Sequence, residues 1–319
     1  MKRSGLLLLI VLILHVALNA QQMPYYSQFK NNSYMINPAI TGTKKLVDAR
    51  INYRSQWMGY EDAPKTGNLS VHSRFLKGKM GAGLYVMQDK IGPLKQTNFG
   101  LSYAYHLRFP DVELSAGVAG NFAKQTLIGN KVFLHHTQDP AIDQHVTNST
   151  WANDLHAGVY LYNDRFHVGL SALHMLETTA EFYKSDTTKK GFLKYADHVN
   201  FTAGYNYSQN PDYIFESTLY AIYVAGTPLN LDYTLRLHYK QMIFGGFSLR
   251  LRDAVALHVG VTVLEEYQIS YSYDFLIGKM KNHSSGSHEV MIAFSSSIFK
   301  QKRGRVNDKF LNQRYGYMF

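Results

Sequence analysis

Leu229-Asn230-Leu231-Asp232-Tyr233-Thr234-Leu235-Arg236-Leu237-His238-Tyr239-Lys240 alternates between apolar and polar residues without a break. In an extended chain successive side chains point to opposite faces. Leu229, Leu231, Tyr233, Leu235, Leu237 and Tyr239 therefore make one greasy surface, and the residues between them make a polar, charged one. A soluble β-sandwich would bury the greasy face in a core. A transmembrane barrel turns it to lipid and points the polar face at a watery lumen, and segments of about ten residues with this period are its signature.

Outward from that stretch the pattern recurs in both directions. Fourteen segments carry it, at 45–57, 67–75, 79–88, 96–108, 112–126, 153–162, 166–175, 197–208, 212–223, 229–240, 242–251, 255–263, 266–275 and 287–299. Predicted lipid-facing sets include Val47-Ala49-Ile51-Tyr53, Phe99-Leu101-Tyr103-Tyr105-Leu107 and Val255-Leu257-Val259-Val261-Val263. The connections give an independent test. Those after even segments are tight, for example Asn163-Asp164-Arg165 and Lys240-Gln241, whereas those after odd segments are generally long, notably 127–152 and 176–196. Bacterial barrels have an even number of strands, short periplasmic turns and long external loops, and this parity fits them. The predicted fold class is all-β, an antiparallel transmembrane barrel of about fourteen strands.

Composition narrows the alternatives. A mean hydropathy of −0.23 excludes a polytopic helical membrane protein. The uninterrupted apolar run Leu6 to Leu14 is too short to span a bilayer; with Lys2 and Arg3 before it and Ala17 and Ala20 after, it reads as a signal peptide cleaved after Ala20, so that the mature chain begins at Gln21. The absence of cysteine excludes disulfides, thiolate chemistry and a lipidated N-terminal cysteine. The net charge of +10 is concentrated in the signal region and in the tail from Lys300. No nucleic-acid motif accompanies it, so nucleic acid is not an expected partner. The predicted organisation is a signal peptide over 1–20, an aromatic-rich plug or periplasmic segment over 21–43, a barrel over 44–299 and a basic periplasmic tail over 300–319.

Candidate chemistry is sparse. His135, His136, Asp139, Asp143 and His145 share one loop and could converge on a metal, but none is held at a fixed spacing, and a polar exposed loop is the simpler reading. Histidines on predicted strands, His156, His167, His238 and His258, point to the lumen, where a solvated imidazole needs no function. There is no Gly-x-Ser-x-Gly elbow, P-loop or dinucleotide fingerprint. The reading is a non-enzyme with no cofactor and no metal. Arg50, Arg54, Arg74, Arg108, Arg236 and Lys240 share the predicted inner face with Asp48, Glu113, Asp232 and Asp274, which favours ion pairing inside the barrel over a selectivity filter.

Tyr26-Ser27-Gln28-Phe29, Asn37-Pro38-Ala39 and Gly42 are followed by Gln56-Trp57-Met58-Gly59 and Ala63-Pro64-Lys65-Thr66. This series, with Asp89-Lys90-Ile91-Gly92-Pro93 and Gly286-Ser287-His288-Glu289 further on, closely resembles the PorP/SprF family of the Bacteroidota type IX secretion and gliding machinery. The resemblance covers nearly all of the mature chain, and Gln-Trp-x-Gly followed by Ala-Pro-x-Thr is its most specific part. The chain departs from the family in Tyr60-Glu61-Asp62, where a glycine is more usual, and in the long basic tail.

The resemblance implies an integral outer-membrane protein of a Gram-negative cell without enzymatic activity, embedded in outer-membrane lipid. Implied partners are periplasmic secretion-system lipoproteins or a peptidoglycan-binding protein, and a large secreted adhesin. The resemblance gives structural importance to Asn37, Pro38, Gly42, Gln56, Trp57, Gly59, Ala63, Pro64 and Thr66. The tail residues Lys302, Arg303, Arg305 and Arg314 are candidates for a periplasmic contact. Residues 21–43 and the Gln56-Trp57 region are expected to close one mouth of the barrel, and loops 127–152 and 176–196 to face outward. The competing expectations are a passive porin, an outer-membrane hydrolase and a soluble periplasmic β-protein.

Overall fold

An alternating chain in lipid must pair every backbone N–H and C=O internally, and a closed sheet does so without leaving an edge. The computed structural model describes residues 24–44, 47–132, 147–182, 191–210 and 212–296, and its strands obey that rule. They are β1 (Val47–Ser55), β2 (Lys65–Phe75), β3 (Met80–Ile91), β4 (Leu94–Arg108), β5 (Glu113–Ile128), β6 (Thr147–Tyr162), β7 (Phe166–Leu173), β8 (Thr179–Phe182), β9 (Gly191–Lys194), β10 (His198–Asn210), β11 (Tyr213–Val224), β12 (Asn230–Tyr239), β13 (Ile243–Arg250), β14 (Ala254–Val263), β15 (Tyr267–Leu276) and β16 (Ser287–Ser296). All except β8 and β9 form one closed antiparallel barrel of 14 strands, with β1 paired to β16 to shut it. No helix among the described residues is long and apolar enough to cross a membrane. The crossing is made by strands.

The predicted faces hold. Leu101 is 63% exposed and its neighbour Ser102 is buried, and the same switch repeats along every barrel strand. Aromatic side chains collect at both ends of the outer surface. Phe75, Phe109, Tyr207, Tyr213, Tyr239 and Tyr267 ring the end with the tight turns, while Tyr53, Phe99, Phe122, Trp151, Tyr223 and Phe275 ring the opposite end. Amphipathic rings favour the level of the lipid headgroups, so these two girdles mark the membrane interfaces.

Several boundaries differ from the sequence reading. Strands β3 and β4 run on to Ile91 and from Leu94, so the expected loop 89–95 is a tight turn at Gly92-Pro93. Strands β5 and β6 reach Ile128 and start at Thr147, entering both ends of the stretch 127–152 taken as loop. The chain leaves β7 at Leu173, and His174 takes a left-handed backbone with φ of +62°. Part of the 176–196 connection does not point outward. Strands β8 and β9 pair as a separate hairpin, in which Ala180, together with Tyr195 just after it, packs against Ala123 and Ala152 of the barrel's inner wall.

The tight-turn end includes two connections that bend without glycine. Lys240 and Gln241 have φ of +49° and +55°, and Leu264 and Glu265 have +55° and +62°. Paired positive φ values are those of a type I′ hairpin, whose twist matches the flanking strands. This conformation places Lys240 in an exposed turn rather than on the inner face where the alternation put it. Arg108 likewise sits at the rim, with its side chain 60% exposed.

Candidate functional site

Part of the chain lies against the inner wall of the barrel. Residues 24–43 lie inside the barrel as an irregular thread with two short 3₁₀ turns, Ser33–Met35 and Pro38–Ile40. The second turn is written locally. The side chain of Asn37 accepts a hydrogen bond from Ala39 N at 2.9 Å, and Pro38, which has no N–H to satisfy, occupies the first position of the turn. Gly42 ends the segment with φ of +73°, a conformation glycine adopts without strain.

The wall is shaped to receive this thread. Gly117 on β5 and Gly158 on β6 stand directly opposite each other. A Cβ on Gly117 would lie 2.5 Å from Pro38 O and 2.6 Å from Ala39 N; one on Gly158 would lie 2.2 Å from Asn37 Oδ1. On β3, a Cβ at Gly81 would lie 2.3 Å from Thr41 O. The absence of side chains at these three inward positions lets the backbone of 37–42 touch the sheet. Polar contacts then fix its height. Asn37 Nδ2 donates to Val159 O at 3.1 Å, Ser115 Oγ donates to Ala39 O at 2.6 Å, and Gly42 N donates to His72 Nδ1 at 3.1 Å.

Further along, an ionic cluster anchors the start of the thread. Arg54 donates from Nη2 to Asp274 at 2.7 Å and from Nη1 to Glu289 at 3.1 Å, all three side chains being at most 1% exposed. Ser27 joins them, receiving Arg54 and Arg250 on its hydroxyl oxygen and donating to Asp274, while its backbone N donates to Glu289 at 2.8 Å. The guanidinium of Arg250 lies 3.7 Å above the ring of Tyr25, whose hydroxyl donates to Asp232 at 2.7 Å. Lys30 pairs with Glu216 at 3.1 Å. The inner charges therefore form pairs, as the alternation suggested.

Between these polar contacts lies an apolar cluster unusual for a lumen. Tyr26, Phe29, Met35 and Ile36 of the thread pack with Tyr85, Met87, Tyr160 and Tyr220 of the wall. Where the thread joins β1, the Lys44 ammonium pairs with Asp48 at 3.0 Å. Burial, reinforced by the Arg50 guanidinium, lowers its pKa from the usual lysine range to about 8.

The remaining motif residues belong to the long-loop end of the molecule. Gln56, Trp57, Gly59, Ala63 and Pro64 form the loop between β1 and β2, and Thr66 stands on β2. Gln56 N donates to Pro64 O at 3.0 Å, Trp57 N donates to Ser287 Oγ at 3.1 Å, and Met58 N donates to Gly286 O at 2.8 Å. Thr66 Oγ1 donates to Asp89 at 2.6 Å. Trp57 and Gly59 both have positive φ, +52° and +88°. These contacts tie the loop to the β15–β16 connection. The thread runs from this same end, where Ser27 meets Arg54, Asp274 and Glu289, to the tight-turn end, where Gly42 meets His72.

A family model described as type IX secretion system membrane protein PorP/SprF matches residues 18–294. The chain belongs to the PorP/SprF family. Among solved structures, the Ralstonia pickettii toluene transporter TbuX is similar at 11% identity and a TM-score of 0.51, over 84% of this chain and 93% of that one. The CymD monoaromatic hydrocarbon channel is similar at 12% identity and a TM-score of 0.53, over 85% of this chain and 94% of that one. At such identities the likeness shows the outer-membrane barrel fold alone. No curated protein sequence matches the chain.

Within this family member, the signal region, the loop group His135, His136, Asp139, Asp143 and His145, and the tail residues Lys302, Arg303, Arg305 and Arg314 lie outside the described residues. The luminal histidines are buried rather than solvated. His238 meets Glu216 at 3.1 Å, His258 bonds Ser248 at 2.7 Å and His167 packs beside Lys30. The sequence reading missed the roles of Gly81, Gly117 and Gly158. Their one visible signal was glycine at inward positions of neighbouring strands.

Proposed function

We propose that this protein is a non-enzymatic platform of the type IX secretion machinery in the outer membrane. Residues 24–43 act as a plug, so that the barrel presents two faces rather than a conduit. The long-loop face, with the β8–β9 hairpin and the Gln56-Trp57 loop, meets a secreted partner such as a large adhesin that the machinery exports or anchors. The tight-turn face and the basic tail 300–319 meet periplasmic lipoproteins or a peptidoglycan-binding protein. Signal-peptide cleavage after Ala20 delivers the chain to the periplasm, and N-terminal sequencing of the mature protein tests that step.

The observation that carries the reading is the seating of the thread. Its backbone touches the wall at Gly117 and Gly158, and its ionic anchors are buried on every side. A conduit for ions or small solutes would have no use for an apolar cluster such as Phe29, Met35, Tyr85 and Tyr220 across its bore. Family membership supplies the machinery.

The test is affinity purification of the tagged protein from native outer membranes, with partners identified by mass spectrometry. Recovery of secretion lipoproteins or a giant surface protein supports the platform. A lone barrel with steady conductance in planar bilayers would instead make it a passive porin. Removal of residues 300–319 should weaken recovery of the periplasmic partners without unfolding the barrel, and equal recovery would refute the role given to the tail.

A further inference from the structure

Asp154 and His156 sit two residues apart on β6, so both side chains enter the lumen. His174 follows the end of β7 and meets them there. One carboxylate oxygen of Asp154 and one ring nitrogen from each histidine lie within 4.8 Å of one another, and all three residues are buried. Part of this arrangement is an ordinary hydrogen bond. His174 Nδ1 lies 2.7 Å from Asp154 Oδ2, while Asp154 Oδ1 accepts from Leu155 N at 2.7 Å and Leu176 N at 3.2 Å.

That bond accounts for Asp154 and His174 but not for His156. Its ring is 4% exposed, and its Nε2 has no hydrogen-bond partner. A buried ring nitrogen left unpaired forfeits its hydration without replacement. The rings of His156 and His174 stand edge to face with centroids 5.2 Å apart, and Tyr195 stacks on His174 at 4.8 Å. The group is thus roofed by the chain that leaves the β8–β9 hairpin.

We propose that Asp154, His156 and His174 form a binding site for a borderline divalent metal ion of the zinc type. Two imidazoles and one carboxylate are a donor set that Zn²⁺ accepts with one position left to water, whereas Ca²⁺ and Mg²⁺ select oxygen-only sets. Ligand bonds of about 2.0–2.2 Å place the donors of a tetrahedral site roughly 3.4 Å apart. The donors now lie within 4.8 Å of one another, so the ion would draw them together. The bound ion clamps the chain leaving β7 to β6, and so holds the hairpin segment that begins at Thr179 against the inner wall.

The test uses the full-length protein in detergent, carrying a tag without histidines, stripped with EDTA and titrated with Zn²⁺ against a chromophoric chelator. The expected result is one Zn²⁺ per chain, with affinity lowered at least tenfold in His156→Gln. A variant with His135, His136 and His145 all changed to glutamine should keep the ion. Absence of stoichiometric binding overturns the site, as does loss of binding in the loop variant with retention in His156→Gln. Should His156→Gln fail to fold, judged by heat-modifiable gel mobility, X-ray absorption at the zinc edge of the wild-type complex decides. A shell with two imidazoles supports the assignment, and one with none or one refutes it.

Discussion

Replacement of Gly117 by alanine tests whether the wall was built around the thread. The added Cβ would stand 2.5 Å from Pro38 O and 2.6 Å from Ala39 N, nearly 1 Å inside ordinary contact. Both neighbours are backbone atoms, so no side-chain rotation relieves the overlap. The thread cannot slide easily either, because Asn37 Nδ2 is bonded to Val159 O at 3.1 Å and Ser115 holds Ala39 O at 2.6 Å. Overpacking of this kind costs about 1–3 kcal/mol. The strand ladders are intact on either side of β5, so the cost falls on the thread. At about 1.4 kcal/mol per factor of ten, the displaced thread should become roughly 5- to 150-fold more populated. The chain contains no cysteine, so Thr41→Cys installs a single thiol at a position that is 0% exposed. Its rate of maleimide labelling in native membranes then reports displacement. Gly120→Ala is the control, since a Cβ there meets only Phe122 Cε2, at 3.9 Å. Equal labelling rates in the Gly117→Ala and Gly120→Ala backgrounds would refute the account of the glycine seat.

Three further outcomes follow from the same physics. Arg54→Met removes the cation between Asp274 and Glu289, and loss of one partner in a buried ionic cluster costs about 3–5 kcal/mol. The temperature at which the folded gel band disappears should fall sharply, and Arg54→Lys should not restore it, since one ammonium cannot fork to both carboxylates. Leu101→Arg places a charge on the lipid face of β4, where the penalty is about 2–4 kcal/mol at the bilayer midplane; normal assembly of this variant would contradict the assigned facing. Lys44, with its folded pKa lowered to about 8 from the ordinary 10.5, binds fewer protons in the folded state than in the unfolded state between those values. Stability should therefore rise with pH across that window, and the rise should vanish in Lys44→Met when denaturation is measured at pH 8 and pH 10.5.

The barrel was legible because lipid imposes a strict period on the strands that cross it. Where that demand stops, the signal stops while the hydrogen bonding continues. Asn148-Ser149-Thr150 on β6 pairs in full register with Gln125-Thr126-Leu127 on β5, yet it reads as loop because nothing there must be greasy. The same reason hid the two-residue turn at Gly92-Pro93. Leu94-Lys95-Gln96-Thr97 carries no clean alternation, although it is continuous with Phe99 and Leu101 on one strand. The connections after even strands are all short, as parity required, but Gly92-Pro93 is an equally tight turn at the opposite end.

The interior was less legible, and for a different reason. The aromatic load of 24–43 showed that the segment must be buried somewhere, but its partners come from nearly every strand and share no spacing in sequence. Ser27 meets Glu289, Asp274, Arg54 and Arg250, four residues on four strands. Alternation says only that each of these points inward. It cannot say that a thread will neutralise them, and the lumen could equally have been filled with water. What separates the two cases is a residue type that a watery lumen does not require. Glycine opposite glycine, at 117 and 158, weakens two strands by removing side chains that would pack. Such a loss is offset only where another backbone comes close enough to occupy the gap. The Asn37-Pro38-Ala39 turn does so, and the glycine pair and that turn form one feature written in two distant parts of the chain.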